Sequence, residues 1–227
     1  MSQNDVFTTG EADAWFERNA HVMQARTDAE RDPILKVLLQ YGVRPAAVLE
    51  IGASNGYRMH LMDEVFGSQC TAIEPSVKAV EDGRSRFPGV KFDIGLASPL
   101  PYESAAFDCV IVCCVFCWID RSVLLQGVAE ADRVLKPGGH LIIGDFHPLR
   151  PERVRYHHRS DVEVFTYKQD YAAIFRAANT YELLAAEVCE HGIFEPRPEI
   201  PPHDRFGVTL LRKELDRSYL TKDRPDA

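Results

Sequence analysis

The stretch Ala46-Ala47-Val48-Leu49-Glu50-Ile51-Gly52-Ala53-Ser54-Asn55-Gly56-Tyr57 decides the fold. Its apolar run, Ala46 to Ile51, reads as a buried strand with an acid, Glu50, near its end. Gly52 and Gly56 let the backbone turn sharply and approach a ligand closely. From Tyr57 to about Phe66 the pattern is helical. The next apolar segment, Cys70-Thr71-Ala72-Ile73, ends in another acid, Glu74. In nucleotide-binding α/β folds an acid about 20 residues beyond the glycine turn takes ribose hydroxyls. Alone, a strand, a turn and a helix with two glycines fit any βα unit.

The rest of the chain supplies the context. Residues 1–9 read as disordered. Glu11 to about Thr27 carries Ala12, Trp15, Phe16, Ala20 and Met23 at helical spacing, and Asp32-Pro33 opens a second helix, Ile34 to Gln40, closed by Gly42. An alternation follows: strand 46–51, helix 57–66, strand 69–74, helix 76–86, strand 90–94, a loop at Pro99 and Pro101, strand 107–113, helix 121–135 and strand 140–146. Such alternation implies a parallel sheet with helices on both faces. After Phe146 the period is lost in a basic, aromatic stretch to about Asp161. Val162 to Tyr167 then reads as a strand and Gln169 to about Asn179 as a helix. Tyr181 to Cys189 and Phe206 to Leu211 read as two strands, joined through a loop with Pro196, Pro198, Pro201 and Pro202. The tail from Lys213 reads as peripheral.

Composition bounds the function. The chain has 227 residues, 45% of them hydrophobic, enough for one α/β domain with a full core. Its 34 acids against 26 bases give a net charge of −8, which argues against non-specific binding to nucleic acid. A local basic patch around Arg150, Arg153, Arg155 and Arg159 is left open. No stretch is long and apolar enough for a membrane helix, and no signal pattern opens the chain, so a cytoplasmic protein is expected. Cys109, Cys113, Cys114 and Cys117 lack the paired spacing of a zinc ribbon, so no metal is expected; they read as small hydrophobes of a buried strand.

Three further segments carry a resemblance. Phe107 to Cys113 is a buried strand, Arg133-Val134-Leu135-Lys136-Pro137-Gly138-Gly139 ends a helix, and His140 to Phe146 is the next strand. In this order the chain resembles the class I S-adenosylmethionine-dependent methyltransferases, well over residues 45–146 and loosely elsewhere. Glu50-Ile51-Gly52-Ala53-Ser54-Asn55-Gly56 matches the family's acid-x-Gly-x-Gly-x-Gly loop, with Ser54 in place of the middle glycine. The resemblance implies an α/β, Rossmann-like, doubly wound fold: a mostly parallel seven-stranded sheet with an antiparallel last strand. It also implies a single domain, divided into an N-terminal helical lid (1–44), a cofactor core (45–146), an acceptor-side insertion after the fifth strand (147–168) and a closing helix and strand pair (169–212).

The cofactor implied is S-adenosyl-L-methionine. Its methionine part maps onto Glu50, Gly52, Ala53, Ser54 and Gly56. Its ribose maps onto Glu74 beside Pro75, since a carboxylate can accept from both hydroxyls. Its adenine maps onto Leu96 and Ala97, although relatives often carry an aspartate where Leu96 stands. Its methyl group maps beside Cys113, Cys114 and Val115. Trp15, Arg18 and Asn19 on the lid helix would close over it.

On the acceptor side, His147 follows the fifth strand and is the candidate general base, with Asp145 to orient it and His157 as the next candidate. Tyr156, His158, Arg159, Tyr167 and Lys168 would suit a polar small-molecule acceptor, methylated on oxygen or nitrogen. Carbon or macromolecular acceptors, a Rossmann-type oxidoreductase and a non-catalytic cofactor-binding protein are the competing readings. A homodimer is left open.

Overall fold

The computed structural model of the chain describes residues 2–193, 197, 199–216 and 219. Seven strands form one sheet: β1 (Ala47–Ile51), β2 (Gln69–Glu74), β3 (Lys91–Ile94), β4 (Phe107–Cys113), β5 (Leu135–Phe146), β8 (Tyr181–Glu190) and β9 (Arg205–Lys213). Their spatial order is β3-β2-β1-β4-β5-β9-β8. β1 to β5 run parallel, and β9 lies antiparallel between β5 and β8. The doubly wound sheet with an antiparallel last strand is therefore present as the alternation and the resemblance imply.

The helices cover both faces. α3 (Pro33–Gln40), α4 (Tyr57–Phe66) and α5 (Val77–Arg86) pack on one face, where Leu35, Leu38, Met59, Met62 and Val80 meet Val48, Ala72, Ile111 and Ile142. α6 (Leu124–Val134) and α7 (Ala172–Ala177) pack on the other, with Ala131, Val134 and Phe175 against Leu49, Val110, Val112 and Leu141. Adjacent strand residues face opposite ways, which splits each apolar run between the two cores. Local signals fix the helix starts. Asp32 accepts from the Ile34 and Leu35 N–H groups at 3.0 and 3.2 Å ahead of Pro33, and the Ser76 hydroxyl accepts from Ala79 N–H at 3.0 Å.

Several expectations need correction. Residues 2–9 are ordered: α1 (Gln3–Val6) and a π-turn, Phe7–Glu11, precede α2 (Ala12–Gln24), with a kink at Gly10 (φ 138°). The sequence hides this because the segment's apolar groups, Val6 and Phe7, pack against Tyr156, Val164 and Trp118 rather than along a helix of their own. α6 starts at Leu124 rather than 121, since the Asp120 side chain caps a turn through Ser122 N–H (3.0 Å). Lys136 to Gly139 belong to β5, not to a helix end: Leu135 pairs with Phe107, the register shifts, and Gly138 turns at φ 78°.

The insertion is a hairpin, β6 (Glu152–Arg155) against β7 (Phe165–Lys168). β6 is exposed along its whole length and holds one apolar residue, so it shows no alternation. Pro196, Pro198 and most of the tail beyond residue 216 lie outside the described residues. Among those described, no helix is long and apolar enough to cross a membrane.

Candidate functional site

β1, β2 and β4 end in register, with Ile51 beside both Ile73 and Val112, so the loops that follow them meet at one edge. There they enclose a cleft of about 980 Å³, open mouth included. The glycine loop forms its floor. Gly52, Ser54 and Gly56 all hold left-handed backbone, at φ 71°, 51° and 71°. These are the three positions where the resembled loop carries glycine. Ser54 accepts the conformation because its N–H donates to Glu74 Oε2 at 2.8 Å.

Glu74 is 8% exposed and lines the cleft beside Pro75. Its other oxygen accepts from Ser76 N–H at 3.0 Å, and the Ser76 hydroxyl in turn donates to Asp13 of α2. Each carboxylate oxygen keeps a lone pair for a ligand. Burial pushes Glu74 up to about 7, against the two backbone N–H donors that hold it down. Ser54 Oγ is buried without a partner. Such an orphaned hydroxyl and a carboxylate with spare acceptors suit a ligand rich in hydroxyl and amino groups.

Ten of the expected cofactor residues line this cleft: Trp15, Gly52, Ser54, Glu74, Pro75, Leu96, Ala97, Cys113, Cys114 and Val115. Five do not. Ala53 and Gly56 shape the loop from beneath, through the Gly56 N–H to Ala53 carbonyl bond. Glu50 is 1% exposed and turned under the loop onto Arg58, which also pairs with Asp32. Arg18 turns away from the cleft to Glu11 and the Tyr156 hydroxyl, and the Asn19 amide donates to its own helix at Trp15 O, 2.8 Å.

The acceptor-side residues are also placed differently. Ile143 and Asp145 on β5 share one face with His147, which follows the strand, and the three border a small separate pocket with Tyr171 and Gly207. His147 N–H pairs with Arg205 O at 2.9 Å, continuing the ladder with β9, so its side chain follows that face away from the cleft. Asp145 is buried behind the cleft wall, accepting from Cys117 N–H at 3.3 Å, and burial raises it to about 7.

Tyr156 is buried and structural. Its hydroxyl donates to Glu11 at 2.7 Å and its ring meets Trp118 edge-on at 4.8 Å. His157 and His158 are exposed at the hairpin. Arg159 pairs with Asp161, Tyr167 stacks under Arg121 at 4.3 Å, and Lys168 lies over Phe146 at 4.5 Å.

Sequence reasoning missed half of the lining. The N-terminal segment contributes Asn4, Phe7 and Ala12, and the loop after β4 contributes Trp118 and Ile119 beyond the expected Val115. Gln3 latches the two together, its amide donating to Trp118 O (2.6 Å) and Phe165 O (2.9 Å). Arg121 pins the same loop, donating to Ile119 O at 3.0 Å and to the Tyr171 hydroxyl at 2.9 Å. The signal was present: Val115-Phe116-Cys117-Trp118-Ile119 is too apolar for a solvated loop.

Comparison with known proteins agrees with this architecture. Residues 49–143 match the family described as "Methyltransferase domain". The demethylmenaquinone methyltransferase of Deinococcus radiodurans is 42% identical over 110 residues, 46% of this chain and 44% of that protein. The malonyl-[acyl-carrier protein] O-methyltransferase of Methylococcus capsulatus is 29% identical over 119 residues, 51% of this chain and 42% of that protein. The chain thus spans under half the length of the curated relatives it matches.

A solved structure, the 1,6-didemethyltoxoflavin-N1-methyltransferase of Burkholderia thailandensis with bound 1,6-didemethyltoxoflavin and S-adenosylhomocysteine, shares the fold. The TM-score is 0.69 at 17% identity, over 94% of this chain and 91% of that one. The glycine loop, the acid after β2 and the sheet order agree with these matches, and residues 49–143 of the chain match a methyltransferase domain.

Proposed function

We propose that the protein transfers a methyl group from S-adenosylmethionine to oxygen or nitrogen of a small polar metabolite. The observation that carries this reading is the cleft wall at Glu74, a buried carboxylate with spare acceptors fixed by Ser54 N–H and Ser76 N–H. The cofactor supplies an electrophilic methyl group on a sulfonium. The chain's part is to hold and orient: Glu74 takes the ribose hydroxyls, Ser54 and the Gly52 backbone face the methionine part, and Leu96, Ala97 and Ser98 line the adenine end. Phe7, Trp15 and Trp118 exclude water. Holding acceptor and methyl on one axis can supply most of the rate.

Two outcomes follow. A ligand that donates to both Glu74 oxygens favours the ionised carboxyl, so affinity for S-adenosylhomocysteine should fall as pH is lowered through about 7, the value to which burial raises this group. Asp13, across the Ser76 bridge, is the charged group facing it. Glu74→Gln should bind more weakly by about 1.5–3 kcal/mol, the range for a hydrogen bond to a charged group, and lose that pH dependence. In the ligand-free protein the sign reverses. Folding raises this pKa, so the site's contribution to stability falls as pH rises toward 7. Calorimetric titrations at several pH values check both.

His147 lies off the cleft, so His147→Ala should keep turnover within about twofold, where loss of a general base costs about 10²–10⁴-fold. Release of S-adenosylhomocysteine against a panel of hydroxyl- and amine-bearing metabolites measures this and tests the reading itself; a panel without turnover at any member counts against it.

A further inference from the structure

We propose that Cys113 and Cys114 form a covalent-modification site in the cofactor cleft, where α,β-unsaturated carbonyl electrophiles add to Cys113 and thereby exclude the cofactor. The inference rests on the reading of this cleft as the cofactor's. All six cysteines are free thiols. Cys70, Cys109, Cys117 and Cys189 are buried, and only Cys113 and Cys114 border the cleft.

Consecutive strand residues point to opposite faces, so neighbouring thiols on a strand do not normally meet. Here β4 ends at Cys113 and Cys114 turns into left-handed backbone, φ 55°, fixed by its N–H to Gly144 O at 2.7 Å. The turn sets Cys114 at the end of β4, and its S–H is the largest influence lowering the Cys113 thiol. From the other side the Arg58 guanidinium donates to Cys113 Sγ at 3.7 Å, itself held by Asp32 and Glu50.

A thiol between a donor and a fixed cation is set up to react as thiolate. The Cys114 S–H and then Arg58 lower the Cys113 thiol below its ordinary value, against its burial. Burial pushes Cys70 up to about 12 and Cys189 to about 11, and it raises Cys109 and Cys117 as well. Cys114 is raised as the donor of the pair. Addition balances simply: Cys113 Sγ bonds to the β-carbon, the carbon–carbon π bond breaks, and the α-carbon takes a proton from solvent. The adduct then stands in the cleft beside Gly52 and Ser54.

The test is limited labelling of the full-length protein with N-ethylmaleimide at pH 7, mapped by peptide mass spectrometry. Cys113 should be labelled at least tenfold faster than any other cysteine, since the thiolate is the reacting form. Saturating S-adenosylhomocysteine should suppress that labelling, and the labelled protein should no longer bind it. Cys114→Ala, checked for folding by circular dichroism, should slow labelling of Cys113 several-fold by removing the donor. Even labelling of several thiols, first reaction at another cysteine, or normal S-adenosylhomocysteine binding by Cys113-labelled protein would overturn the proposal. If S-adenosylhomocysteine fails to bind the unlabelled protein, the cofactor reading and this proposal's exclusion step fall together; uneven labelling without that binding leaves only a reactive thiol.

Discussion

Arg58→Met should destabilise the folded protein by about 3–5 kcal/mol, the cost of leaving buried charge uncompensated. The Arg58 side chain is 5% exposed and stands between Asp32 and Glu50, whose side chains are 3% and 1% exposed. Its Nε lies 3.0 Å from Asp32 Oδ2, its Nη1 pairs with Glu50 Oε1, and its Nη2 donates to the Tyr57 hydroxyl at 2.7 Å. Two carboxylates facing one guanidinium would leave a net negative charge underground.

Burial raises Glu50 above the ordinary carboxylate range, and the Arg58 guanidinium opposes that rise. Glu50 Oε2 is buried with no hydrogen-bond partner, so Arg58 is the group that compensates this carboxyl. Removing Arg58 strands Asp32, and with it the cap of α3. Urea denaturation of Arg58→Met, Asp32→Asn and the double variant measures the coupling. The double variant should be more stable than the sum of the single losses predicts. Strict additivity would show that Arg58 and Asp32 do not act as a unit.

Gly52→Val should abolish cofactor binding, by more than about 100-fold, while the sheet stays folded. Gly52 sits at φ 71°, and a Cβ there would lie 2.3 Å from Val115 Cγ2 across the cleft. The left-handed backbone costs a residue with a Cβ about 1–2 kcal/mol, and overpacking typically adds about 1–3 kcal/mol. The loop or Val115 must give way, and both line the cleft. Gly67→Ala separates the two contributions. Gly67 has nearly the same backbone, φ 68°, with nothing within 4 Å of an added Cβ, so it should lose the strain energy alone and bind normally. Titration with S-adenosylhomocysteine alongside circular dichroism distinguishes lost binding from lost fold.

The parallel core was legible because its strands are short continuous apolar runs bounded by glycine, proline or acids. β1, β2 and β4 fall within a residue of their sequence-based limits. Glu74 was legible for the same reason, as the acid that ends an apolar run at the right distance from the glycine turn. What the chain hides is set by tertiary contact. The N-terminal segment is polar by composition and is ordered by Gln3 and Asn4 reaching across to Trp118, Phe165 and Asp120.

Glu50 and Arg58 are eight residues apart, on a strand and the helix after it, and no linear pattern announces that a salt-bridge cluster joins them beneath the loop. His147 shows the limit of reasoning from position along a strand. It is near the correct edge of the sheet, but pairing with β9 carries the alternation through Asp145 and His147 and turns both to the face bordered by Tyr171. The Tyr156 to Lys168 group is polar and aromatic, as the sequence shows, and most of that chemistry is consumed internally, in pairs with Glu11, Asp161, Arg121 and Phe146.

The most direct test of the central claim is a calorimetric titration of the purified chain with S-adenosylhomocysteine and, in parallel, with a nicotinamide dinucleotide. The account predicts one saturable S-adenosylhomocysteine site per chain, weakened in Glu74→Ala, and no saturable dinucleotide binding. Dinucleotide binding in place of S-adenosylhomocysteine, or S-adenosylhomocysteine affinity indifferent to Glu74, would contradict it.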